Sequence, residues 1–366
     1  MMMALTHFNT SGEKMSFLSR IKNKYRILAK TKYLEEQIAL FKKKLAEFNK
    51  AKPKMITAIT KSDLKANEKV SERSKLDSVQ SYLEMSLNDL QDAIKWRDKT
   101  GEEINNEKDL SLNPSGTKMK NHKLPSFSLL PGVTCPSKKD CFGWCYAMGG
   151  HPMAWKYKTS PTRAMQTRYL GLAERDDWNE RMTERLKKVP KDRPFRIHVT
   201  GDFHSPEYVK KWTDLIKAHP DRQFYAYTKS VSMPGMSELE TLPNMTVRYS
   251  YGGAEDDKID PKKPHCKVFD SKEELEDAGY TECLKDDRIA ADKNLITMGI
   301  VKHGTRHYTA KTFKPHAHAS SKEYPVAHLF DQIDAPHHWD IDEEKAHNDI
   351  GAYQIAPVWS RYLHEL

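Results

Sequence analysis

PFRIHVTGDFHSPEYVKKWTDLIKAHPDRQFYAYTKS, residues 194–230, holds two apolar runs separated by one amphipathic stretch, and that order decides the fold class. PFRIHVTGD (194–202) is short, apolar at its centre and closed by Gly201, the pattern of a buried strand. SPEYVKKWTDLIKAH (205–219) opens on Ser205, whose hydroxyl can cap a helix, and Pro206, whose ring presets φ for a first turn. Val209, Trp212, Leu215 and Ile216 then share one helical face. RQFYAYTKS (222–230) is a second strand, in which Tyr225 and Tyr227 point the same way and read as core residues.

The alternation continues on both sides. MSELETL (236–242) is a short helix, NMTVRYSYGG (244–253) a third strand and NLITMGIVKHG (294–304) a later one. LPSFSLLPG (124–132) is an earlier candidate strand, followed after a loop by a long helical region at about 153–189. Repeated strand–helix–strand units predict an α/β fold built on a parallel (βα)n sheet, open or closed into a partial TIM-type barrel. In either form, active residues belong where strands end and loops begin.

The flanks differ in character. Among 366 residues with a net charge of +9, residues 1–60 carry 13 Lys/Arg against four Asp/Glu, and the remainder sums to zero. Apolar stripes at Leu18, Ile21, Tyr25 and Leu28, at Leu34, Ile38, Phe41, Leu45 and Phe48, and at Leu76, Val79, Leu83, Leu87, Leu90 and Ile94 predict helices interrupted at Pro53. They form a hairpin or a self-associating coiled coil, or pack on the following domain. The expected organisation is a basic helical arm at 1–100, a linker at 101–123, an α/β cysteine-loop domain at 124–305 and a His-rich C-terminal extension at 306–366. A basic arm suits nucleic acid through phosphate contacts; a solvated helix face is the plainer reading. No secretory signal or run of about 20 apolar residues is present, so no membrane partner and a cytoplasmic location are expected.

TCPSKKDCFGWCYA (134–147) gathers three of the five cysteines. Cys135, Cys141 and Cys145 in one loop next to Pro136 and Trp144 read as metal ligands rather than packing. Zinc is one solution, with His151, Cys266 or Cys283 completing the set. A 4Fe-4S iron–sulfur cluster is the other, three thiolates leaving one iron open to a small molecule. Asp202 is either a ligand contact or a cap for the helix near Pro206. Thr228, Lys229 and Ser230 end a strand on the face where a cofactor would lie, and His204 and His303 occupy strand ends suited to proton transfer. YGGAEDDKID (251–260) reads as a turn.

CPSKKDCFGWCYA resembles a spacing variant of the radical S-adenosylmethionine signature, with five and three residues between cysteines in place of three and two. That resemblance implies a cluster on Cys135, Cys141 and Cys145 and Trp144 beside the adenine. It also implies Thr200, Gly201 and Asp202 at the methionine amino group. The implied function is generation of a 5′-deoxyadenosyl radical from S-adenosylmethionine for modification of a substrate such as a nucleic acid or nucleotide. A zinc- or cluster-stabilised protein that binds nucleic acid or a protein partner is the non-catalytic alternative. KLPSFSLLPGVTCP…CYA, RIHVTGDFHSPEYVKKW and FYAYTKS together resemble the phage and plasmid gene 88 protein family over about 120–305, which implies a mobile-element origin and, for a phage-encoded chain, the host cytoplasm.

Overall fold

The computed structural model describes residues 32–100, 103–104, 112, 122–139, 141, 145, 161–283 and 286–301. Two long helices lead, α1 (Lys32–Lys61) and α2 (Ala66–Asp98), and α3 (Pro161–Ala173) and α4 (Trp178–Leu186) follow the cysteine loop. Then come β1 (Phe195–Ile197), α5 (Pro206–Lys217), β2 (Phe224–Thr228), α6 (Met236–Thr241) and β3 (Met245–Ser250). The last elements are β4 (His265–Phe269), α7 (Lys272–Asp277), β5 (Thr281–Glu282) and β6 (Thr297–Val301).

The fold is α/β. Six strands form one sheet in the order β1-β2-β3-β4-β6-β5, and every pairing is parallel. Among the described residues the sheet is open, and no pairing closes it into a barrel. Residues 124–132 form no full ladder, yet they run beside β1: Phe127 N–H donates to the Arg196 carbonyl, Val199 N–H to that of Phe127, and Leu129 N–H to that of Thr200. The expected strand is thus an extended edge segment, shortened because Pro125 has no N–H to give.

Alternation along the strands sends Phe195, Ile197, Phe224, Ala226, Met245 and Val247 into the main core under α5 and α6. There Trp212 lies edge-on to Trp178 at 4.9 Å and to Phe127 at 5.4 Å. Ser205 caps α5, accepting from Tyr208 N–H at 3.2 Å. The opposite face presents Tyr225, Thr246 and Arg248 to the turn at 286–292. Arg248, fully buried, donates to the carbonyls of Ile289, Ala290, Asp292 and Leu295, which satisfies the cation mainly through the backbone. Asp287 is as deeply buried and accepts from Arg196, Tyr225 and Tyr227.

The N-terminal helices differ from expectation in two ways. Pro53 lies inside α1, and the chain reverses only at residues 62–65. Phe48, Met55 and Ile59 are buried on either side of Pro53, and that packing offsets the hydrogen bond a mid-helix proline removes. The pair forms a hairpin, but it is not a free arm: Leu34, Phe41, Leu76, Val79, Leu83 and Leu90 belong to the same core as the sheet. Ile104 and Leu112, within the expected linker, are buried there too. The stripe Leu18–Leu28 and the C-terminal histidines lie outside the described residues, and no described helix is long and apolar enough to cross a membrane.

Gly171 sets the contact between hairpin and sheet domain. A β-carbon there would strike the Ala93 carbonyl oxygen and approach Trp96 Cβ to 2.7 Å. Gly171→Ala raises helix propensity by about 1 kcal/mol, whereas overpacking costs about 1–3 kcal/mol. The expected result is a net loss of up to about 2 kcal/mol in urea unfolding at unchanged m, and a net gain would place α3 farther from α2.

Candidate functional site

Parallel strands leave their carboxyl ends on one edge, and the cysteine loop crosses that edge. It is pinned at three points. Thr134 folds back on Leu130 through both its N–H and its hydroxyl, and its own carbonyl accepts from Asp202 N–H at 3.0 Å. Lys138 bridges Gly253, with Ala254 N–H donating to the Ser137 carbonyl. Cys141 N–H donates to the Gly252 carbonyl at 2.9 Å. The glycines permit these approaches. Gly201 has φ +82°, and a β-carbon on it would lie 2.6 Å from Thr134 Oγ1; one on Gly253 would lie 2.9 Å from Lys229 Cβ. The acidic run after Gly253 serves this turn: Asp256 accepts from the amides of Gly252 and Gly253.

Under the loop, Asp202 joins two strand ends. Its carboxylate accepts from Phe203 N–H at 2.7 Å, Thr228 Oγ1 at 2.6 Å and Lys229 N–H at 2.8 Å. Burial raises its pKa and these donors oppose the rise. Ser205, not Asp202, caps α5. The other residues expected at a cofactor are engaged likewise: Thr200 Oγ1 donates to the Leu129 carbonyl and accepts from Gln166, while Ser230 Oγ donates to the Phe203 carbonyl. These side chains build the floor of the edge.

Cys135, Cys141 and Cys145 are all half-buried free thiols. Burial pushes the Cys135 and Cys141 thiols up, reinforced at Cys135 by Asp202 and Cys145. Cations stand among them: Lys138 acts on Cys135 and Cys141, and Lys229 on Cys141 and Cys266. Lys229 Nζ is held by the Ser250 hydroxyl at 2.7 Å and the Tyr251 carbonyl at 2.9 Å. Among the described residues no three His, Cys, Asp or Glu side chains stand at metal-binding separations. Trp144, His151 and His303 lie outside the described residues. Cys266 and Cys283 are buried in a satellite core with Tyr225, Ala290 and Met298, and Cys266 shares the charge of Lys229 with Cys141.

The hairpin supplies residues that strand-end reasoning does not find. Tyr33 Oη donates to the Val133 carbonyl at 3.2 Å and its ring lies 4.4 Å from that of His204. His204, its side chain fully buried, pairs with Glu174 at 3.2 Å. Lys44 is pushed down to about 8, first by burial and then by Lys138. Helical periodicity assigns Tyr33 and Lys44 to α1; only packing brings them to the loop.

Two measurements check this edge. Thr228→Val removes a hydrogen bond that favours ionised Asp202, so it should cost about 1–3 kcal/mol at pH 7. The cost should shrink as pH falls through the raised Asp202 pKa, because a protonated carboxyl needs the donor less. A pH-independent cost would leave only packing. For the metal-free protein at pH 8, mass-spectrometric alkylation should show Cys135 and Cys141 reacting at least about tenfold more slowly than in the unfolded chain. Equal rates would contradict the raised thiol pKa values.

A family model described as Gene product 88 matches residues 96–324. Relatives include the Gene 88 proteins of Mycobacterium phage L5 and Mycobacterium phage D29, 40% and 39% identical over 74 residues, 20% of this chain and 29% of each relative. The chain therefore spans under a third of the length of the curated relatives it matches. No solved structure matches it.

Proposed function

The chain belongs to the gene product 88 family; from the cysteine loop, and not from that membership, we propose an iron–sulfur protein of radical S-adenosylmethionine type, its cluster held by Cys135, Cys141 and Cys145. One observation carries the reading: three thiols arrive on a single loop tied across the carboxyl ends of parallel strands, above the turns at Gly201–Asp202 and Thr228–Ser230. The donor set fits the group in ligand type, though the three thiols do not stand at ligating separations as they are and would have to close on the metal. Three thiols are the ligand type of iron–sulfur clusters, and Lys138 and Lys229 offer positive charge to offset a thiolate-bound anion. When bound, such a group supplies an electron for reductive cleavage of S-adenosylmethionine.

The chain's own residues have distinct tasks. Burial disfavours the thiolates of Cys135 and Cys141, so a ligated group would have to displace their protons and loading would release them. Asp202, Thr228 and Ser230 hold the floor rigid and Gly201 keeps it low, while the resemblance assigns Trp144 to the adenine and Thr200 to the methionine end of a bound S-adenosylmethionine. The buried His204–Glu174 pair and Tyr33 exclude water from the Cys135 side. In this reading residues 124–305 carry the cofactor chemistry and the α1–α2 hairpin covers it. The phage origin of the relatives and the basic N-terminal region favour a nucleic acid or nucleotide substrate, met in a host cytoplasm.

Protein purified without oxygen and reconstituted should carry about four irons and four sulfides per chain, and Cys141→Ala should lose most of both. Electron paramagnetic resonance of the reduced sample should change on adding S-adenosylmethionine. Stoichiometric zinc without sulfide would replace the cluster by a structural zinc site, with His151 or Cys266 as the further ligand.

A further inference from the structure

The face of α1 turned away from the core carries lysines on one line. Lys43, Lys50, Lys54 and Lys61 fall within about 20° of a common direction at 3.6 residues per turn, and span about 27 Å at 1.5 Å per residue. All four are exposed, opposite the buried Leu34, Phe41, Phe48, Met55 and Ile59. Lys43 is partly neutralised by Glu47 at 3.8 Å, and Glu36 stands at the N-terminal end of the line. Among the described residues, Lys50, Lys54 and Lys61 enter no ion pair. The line continues across the hairpin turn, where Lys69 Nζ and Arg73 both donate to Thr60. Glu68 and Glu72 stand on the same α2 turns and mark the limit of the patch.

We propose that this ridge docks the sugar–phosphate backbone of a nucleic acid duplex. Charge complementarity selects a polyanion with regularly repeated charge, since four cations in a row leave a field that separate acidic side chains match poorly. The ridge bears no aromatic residue: Tyr33, Phe41 and Phe48 all lie off it, toward the core. Base stacking is therefore not offered, and contact is to phosphates without sequence readout. The same hairpin covers the cysteine loop with its inner face through Tyr33 and Lys44, so a duplex on the ridge lies across the lid of that site. The inference deepens the nucleic-acid part of the proposed function and does not depend on the cluster.

Full-length, iron-free protein should be titrated with a fluorescent 20-base-pair duplex at several salt concentrations. Iron-free protein separates this test from the cofactor reading. The K50Q/K54Q/K61Q variant should bind at least about tenfold more weakly at 100 mM salt, and its log Kd against log salt slope should fall by about 2–3, near 0.9 for each phosphate left without its lysine. Because all three side chains are exposed, the variant should unfold at the wild-type urea midpoint. K50R/K54R/K61R should keep wild-type affinity, and scrambling the duplex sequence should change nothing. An unchanged slope, no duplex binding by the wild type, or tighter binding of polyglutamate than of duplex at matched charge would overturn the proposal, the last assigning the ridge to an acidic protein.

Discussion

The candidate site depends on one buried carboxylate. Asp202 follows β1, yet its oxygens are held by the hydroxyl and backbone of the turn after β2, while its amide holds the turn that opens the cysteine loop. Ionised groups this deeply buried survive only when donors replace the lost water, and three donors converge on this one. The strand ends and the cysteine loop therefore move as a unit. Gly201 is the steric counterpart: only a residue without a β-carbon lets the β1 turn lie against Leu129 and Thr134 closely enough for that exchange.

The hairpin shows how one amphipathic helix serves two environments. Its inner stripe contributes Leu34, Phe41 and Phe48 to the core of the α/β fold, and each large apolar side chain so buried stabilises the fold by about 1.5–3 kcal/mol. Polar contacts then orient it. Arg163 of α3 bonds Asp89 of α2, Arg97 of α2 reaches Glu35 of α1, and Tyr33 seats on the cysteine loop. Of the basic residues of α1, Lys43, Lys50, Lys54 and Lys61 are left on the outer face, because the inner one is taken.

The second face of the sheet follows a different logic. Arg196, Tyr225, Tyr227 and Arg248 alternate with the apolar residues of the same strands, and they are satisfied by Asp287 and by the carbonyls of 289–295. A polar sheet face needs a partner with matching groups, and here a short turn supplies them. Cys283, 3.6 Å from Tyr227 Oη and 3.7 Å from Asp287 Oδ1, belongs to this network.

Local chemistry made much of this legible. Ser205 and Pro206 marked the start of α5, its apolar face was readable from its period, and the strands β2, β3 and β6 from short apolar runs, because β2 and β3 are buried along most of their length and β6 at its centre. β4 and β5 were not: HCKVF alternates too briefly, with Lys267 exposed, and two residues of β5 carry no period at all. Pro53 misleads because proline's local cost is visible in sequence and the packing that outweighs it is not. By itself the sequence determined the α/β class, the position of the cysteine loop between strand and helix, and the amphipathic character of the first helices. Only the tertiary structure decided that the sheet is open over the described strands, that Asp202 ties strand ends together, and that α1 brings Tyr33 and Lys44 to the thiols. Those contacts join residues tens to more than a hundred positions apart, and no local propensity encodes which distant surface a buried face will meet.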